Sequence, residues 1–76
     1  MESEFFDLFE TAQERQVYLR VELGYTRTTD WCLFISDATG GKSKQLCTFQ
    51  GCDRKLIFAQ AYARLAKWLN ENHGGY

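Results

Sequence analysis

Three cysteines and one histidine, Cys32, Cys47, Cys52 and His73, are the side chains with metal-ligating and nucleophilic chemistry. A zinc site would need them to converge, and compact zinc modules bring their ligands in close pairs. Here the intervening stretches are fourteen, four and twenty residues, a spacing that matches no such module. An odd thiol count closes no disulfide framework, so the three read as reduced and mostly buried thiols. Cys52 falls just ahead of an expected helix start, which makes it the most reactive of them. Gly40-Gly41-Lys42-Ser43 has the ending of a phosphate-binding loop, but Ser36 stands where the first glycine of that pattern belongs. The tetrapeptide also joins two expected strands, where a phosphate loop joins a strand to a helix, so it reads as a hairpin turn. No carboxylate pair sits in the apolar setting that general acid–base chemistry uses. These residues predict no enzyme, no metal and no cofactor.

The chain's 76 residues leave room for a single domain over residues 1–76. Chains of this size bury only about 60% of their unfolded surface. Six Phe, four Tyr and two Trp therefore point to a core built from large rings. Hydrophobic residues at 45% and a net charge of −1 exclude a disordered chain and any global field toward phosphate or membrane. No run approaches the ~18 apolar residues of a membrane span. The opening Met1-Glu2-Ser3-Glu4-Phe5-Phe6 is acidic where an export signal would be basic. The expectation is a cytoplasmic protein with no membrane partner.

The spacing predicts a helix over 3–14, with Ser3 as its N-cap. Phe5, Leu8, Phe9 and Ala12 share one face, and Phe6 belongs to neither this stripe nor the polar one, which places it at the edge of the core or in water. Residues 16–25 switch to a period of two, with Val17, Leu19, Val21, Leu23 and Tyr25 on the side that the helices should cover. A polar loop, Thr26 to Asp30, leads into a second strand over 30–36 that is apolar on both faces. The Gly40-Gly41 turn leads into a third strand over 44–50. Its facing is ambiguous, because Leu46 and Thr48 compete with Cys47 and Phe49. Gly51 breaks the strand, and Asp53 caps a second helix running to about Asn72. Its core stripe is Phe58, Tyr62, Leu65 and Leu69, flanked by Ala61 and Ala66, with Trp68 on the boundary. Gly74-Gly75 then leave Tyr76 in a loose end. The order α-β-β-β-α predicts an α+β fold, a three-stranded antiparallel meander with its N-terminal and C-terminal helices on one face.

Two surfaces emerge as candidates for binding. Residues 1–14 hold five acids and no base, and Glu4, Asp7, Glu10 and Glu14 lie opposite the apolar stripe of the first helix. They either dock near Arg54, Lys55, Arg64 and Lys67 or engage a basic protein surface. The uncovered sheet face should carry Tyr18, Arg20, Glu22, Cys32, Phe34 and Ser36, with Leu46 and Thr48 as candidates to join them. Tyr18, Arg20 and Phe34 there have the aromatic and arginine character of interface hot spots. A homodimer through this face would fit the same residues. The alternative of a different class is nucleic-acid binding through Lys42, Lys44, Arg54, Lys55, Arg64 and Lys67.

The α-β-β-β-α order resembles the double-stranded RNA-binding domain, and Gly51-Cys52-Asp53-Arg54-Lys55 stands where that family opens its second helix with basic residues. The resemblance implies contacts from the first helix, a strand-connecting loop and the second helix start. Here the first helix is acidic, and Thr26–Asp30 lacks the family's Gly-Pro and His signature. In size, acidity and element order the chain also resembles small phage-encoded inhibitors, including anti-CRISPR proteins. That resemblance rests on architecture and on no sequence motif. It implies a protein that binds an effector and blocks its nucleic-acid or partner site. The expectation is a non-enzymatic inhibitor or regulator whose partner is a protein, such as part of a nucleic-acid-handling complex, with nucleic acid itself ranked below.

Overall fold

The computed structural model describes residues 2–28 and 30–75. Thr29 of the expected loop and the expected loose end at Tyr76 lie outside them. The chain runs α1 (Glu2–Glu14), β1 (Leu19–Thr26), β2 (Asp30–Asp37), a short 3-10 turn at Thr39–Gly41, β3 (Lys44–Gly51) and α2 (Arg54–Asn72). The three strands form one antiparallel meander in the order β1-β2-β3. This is the predicted α+β architecture.

The two helices lie side by side and run the same way. At one end Glu2 reaches Arg54 at 3.8 Å, and the rings of Phe5 and Phe58 meet edge-on at 5.5 Å. At the other end a guanidinium nitrogen of Arg15 donates to the carbonyl of Gly75 at 2.8 Å. Below them the core gathers Phe5, Ala12, Val17, Leu19, Leu33, Ile35, Ile57, Phe58, Ala61, Leu65 and Leu69. Full burial of a Leu, Ile or Phe side chain contributes about 1.5–3 kcal/mol. Phe6 stays exposed at the edge, where its ring still meets those of Phe5 and Phe58.

Each junction has a local cause. Asp53 caps α2 as expected, its carboxylate accepting from the Leu56 amide at 3.2 Å. Ser3 does not cap α1, because the helix already includes Glu2. β1 begins at Leu19, three residues later than the alternation suggests. Gln16 takes a left-handed φ of 66° there, and the Gln16 and Val17 amides turn back to the Gln13 and Ala12 carbonyls. That pattern closes α1 as a Schellman motif and uses the residues expected to start the strand. Val17 still enters the core.

The ambiguity of β3 resolves through a bulge. Ser36 pairs with Gln45 while Ile35 pairs with Cys47, so Leu46 is the extra residue. Leu46 and Cys47 both pack against the core, and Thr48 faces the other way, opposite Phe34. Helix coverage also differs from expectation. Val17 and Leu19 are buried and Val21 is half-buried, but Leu23 is 43% and Tyr25 57% exposed, because the far end of β1 runs out from under the helices. Ile57, absent from the expected stripe, is buried, while Tyr62 and Ala66 are half-buried.

Candidate protein-binding surface

α1 is pinned along its apolar side, so its opposite side is held rigidly toward solvent. Glu4, Asp7, Glu10 and Glu14 are all exposed there. Asp7, Glu10 and Glu14 make no ion pair among the described residues; the one contact from α1 to the bases of α2 comes from Glu2, outside the set. The sequence left open whether these acids would be neutralised by the second helix, and Asp7, Glu10 and Glu14 are not, among the described residues. The reason is geometric. The rings of Phe5, Phe6 and Phe58 occupy the seam between the helices, and no base of α2 comes within ion-pair distance of Asp7, Glu10 or Glu14 among the described residues.

A cavity of about 280 Å³ opens between the helices beside this face, lined by Glu4, Asp7, Leu8, Thr11 and Tyr62. Two of the expected acidic residues thus form its rim. Thr11 donates its hydroxyl proton to the Asp7 carbonyl at 2.9 Å, which leaves the Asp7 carboxylate outside that bond. Tyr62 and Thr11 escaped the sequence reading. Tyr62 has the spacing of a core residue, and only the crossing of the two helices makes it part of a groove wall.

The open sheet face is where it was expected. Arg20 lies opposite Ser36, Glu22 opposite Phe34, and Gly24 opposite Cys32. Phe34 is 37% exposed at the centre of this face, between Glu22 and Thr48. Arg20 and Glu22 neutralise each other at 2.6 Å. Tyr18, just before β1, is exposed and anchored by its backbone: its amide donates to the Thr39 hydroxyl at 2.9 Å. Leu46, one of the two residues expected to join this face, is turned to the core instead.

The basic residues do not form one patch. Arg54 stacks its guanidinium over the Trp31 ring, 5.4 Å from the centroid, and Lys55 follows it at the start of α2. Lys42 and Lys44 sit at the other end of the sheet. At ~3.4 Å per strand residue, Lys44 is on the order of 24 Å from Gly51, next to that helix start. Lys67 pairs with Glu71 along α2 at 3.9 Å, and Arg64 acts on Cys47.

The thiols are likewise dispersed. Cys32 is on the open sheet face, Cys47 on the helix side and Cys52 in the loop before α2. Cys52 is exposed and the other two are half-buried, so the expectation of mostly buried thiols is corrected. Burial pushes the Cys47 thiol pKa up, with the charge of Arg64 opposing it in part. Among the described residues no three His, Cys, Asp or Glu side chains gather as metal ligands, and no helix is long and apolar enough to cross a membrane.

No known protein family matches the chain, and no curated protein or solved structure matches it either. Its surfaces carry the functional argument.

Proposed function

We propose that this protein is a non-enzymatic binding module, an inhibitor or regulator that docks the acidic face of α1 onto a basic protein surface and blocks it. The observation that carries this reading is that Asp7, Glu10 and Glu14 stand exposed on one rigid helix without ion pairs among the described residues. Carboxylates held apart from internal cations keep their full field for a partner, which speeds encounter and selects a complementary surface. The cavity beside them adds shape to charge. Its roughly 280 Å³ is below the ~300–1,000 Å³ of sites for drug-sized ligands. It suits a single lysine or arginine side chain from the partner, with its stem along Leu8 and Tyr62 and its charge toward Glu4 and Asp7.

The size and element order shared with small phage-encoded inhibitors support the same reading, since those proteins act by occupying a partner's surface. A nucleic-acid module would need its bases gathered along a phosphate track. Here they occupy both ends of the sheet, and two of them are engaged by Glu2 and Glu71.

The test is affinity capture of the tagged protein from a lysate of its source, with and without nuclease. One protein complex retained in near-stoichiometric amount after nuclease is the expected result. A broad, nuclease-sensitive set would overturn the reading in favour of nucleic acid, with Lys42, Lys44, Arg54 and Lys55 as the site.

A further inference from the structure

The two edges of the sheet are protected unequally. β3 opens with Lys44, is interrupted by the bulge at Leu46 and has α2 lying along it. Lysines, bulges and covering helices are the devices that stop an edge from pairing with another strand. β1 is guarded only at its start, where Gln13 of α1 holds the Leu19 amide. It holds an unbroken register over eight pairs, contains neither lysine nor proline, and ends in the exposed apolar pair Leu23 and Tyr25.

The hydrogen-bond polarity of that edge can be read from its first residues. The Ala38 amide donates to the Tyr18 carbonyl, so Tyr18 turns its backbone toward β2. The Leu19 amide instead donates to Oε1 of Gln13 at 2.7 Å, so Leu19 turns outward. Antiparallel ladders alternate this direction at every residue. Val21, Leu23 and Tyr25 therefore aim their N–H and C=O groups away from the sheet. Gln13 holds the Leu19 amide, and no hydrogen bond to those three outward amides is found among the described residues.

We infer that β1 pairs with β1 of a second copy of this chain, antiparallel about a two-fold axis at Leu23. In that register Leu23 faces Leu23 of the other copy and Val21 faces its Tyr25. All three residues of each copy find donors and acceptors, giving six backbone hydrogen bonds by count of the outward groups. The apolar side chains meet in one row on the helix side of the joined sheet. On the other side Arg20 falls opposite Thr26 and Glu22 opposite Gly24, so no like charges meet. The neighbouring registers are worse. An axis at Glu22 sets two carboxylates against each other, an axis at Val21 needs the Leu19 amide that Gln13 already holds, and an axis at Gly24 sets Val21 against Arg27, past the end of the strand, and keeps four of the six bonds. Gly24 has nothing within 4 Å of the space a Cβ would fill, leaving room for the facing Glu22. This pairing uses neither the acidic face of α1 nor the open sheet face, and it stands or falls apart from the proposed function.

The test combines sedimentation equilibrium with amide hydrogen exchange on the full chain over a range of concentrations. The expected result is a monomer–dimer equilibrium in the micromolar range, as suits a small interface. Exchange at Val21, Leu23 and Tyr25 should slow as the dimer fills, while Leu19 changes little. Leu23→Lys, which sets two ammonium groups face to face, should shift the equilibrium at least tenfold toward monomer with the fold retained. A monomer at every concentration would overturn the inference. So would a dimer that leaves those three amides unprotected, because its interface would lie elsewhere.

Discussion

The outer face of α1 and the open face of the sheet are both left uncovered by the rest of the chain, but they differ in how far they satisfy their own chemistry. On the sheet, Arg20 and Glu22 neutralise each other, Phe34 sits between Glu22 and Thr48, and Tyr18 at its edge is anchored by its backbone to Thr39. On α1, charge of one sign accumulates, and three of its five carboxylates, Asp7, Glu10 and Glu14, have no ionic partner among the described residues. Residues two apart on one strand share a face, as Arg20 and Glu22 do on β1, so a sheet face can complete its own pairs. On the outer face of α1 the neighbours three and four residues apart, Glu4, Asp7, Glu10 and Glu14, all carry the same charge, so no such pair can form. Exposure alone therefore does not single out a binding surface; unsatisfied exposure does.

The largest effect should come from breaking the seam that presents α1. Phe58→Ala removes the ring that meets both Phe5 and Phe6, and should cost about 3–5 kcal/mol, read as a lowered Tm. A variant of unchanged stability would mean that the helices are held by something other than these rings. A smaller change should sharpen the contrast on the sheet side. Phe34→Thr matches Thr48 across the strand and should cost about 1 kcal/mol in denaturant unfolding while leaving partner capture intact. Loss of the partner in that variant would move the site to the sheet.

Smaller still is the effect at the end of α1. Gln16 holds a left-handed φ of 66°, and glycine relieves that strain at the cost of a more flexible unfolded chain. Gln16→Gly should therefore stabilise by about 0.5 kcal/mol, measured as a higher denaturation midpoint. The smallest effect concerns pH. The folded state keeps the proton on Cys47 more tightly than the unfolded chain does, since burial raises its pKa. The unfolded state then binds fewer protons as pH rises through the ordinary thiol range, and stability falls there. A Cys47→Ala variant should lose that alkaline slope, and native-state alkylation should label exposed Cys52 first and Cys47 last.

The fold was legible because local signals agreed. The alternation of Leu19, Val21, Leu23 and Tyr25, the Asp53 cap and the Gly40-Gly41 turn each point to one structure. The failures are tertiary. The bulge at Leu46 depends on how β3 meets β2, and no local pattern in Lys44–Gly51 shows it. Ile57 is buried because α2 lies on the sheet on one side and against α1 on another, which widens its apolar stripe beyond a single seam. Leu23 and Tyr25 have the pattern of covered residues but lie beyond the reach of the helices. The acidic face itself is visible in the sequence. That Asp7, Glu10 and Glu14 have no ionic partner among the described residues is not, because that depends on which side of α1 meets α2.

The most direct test of the acidic face is capture by the wild type beside Asp7→Lys, Glu10→Lys and Glu14→Lys combined, at increasing salt. Three lost charge pairs at about 1 kcal/mol each correspond to roughly a hundredfold weaker binding. The expected result is a partner that the wild type releases as salt rises and that the triple variant, still folded by circular dichroism, fails to retain. Retention of the same partner by the triple variant, or binding insensitive to salt, would contradict the assignment of α1 as the docking face.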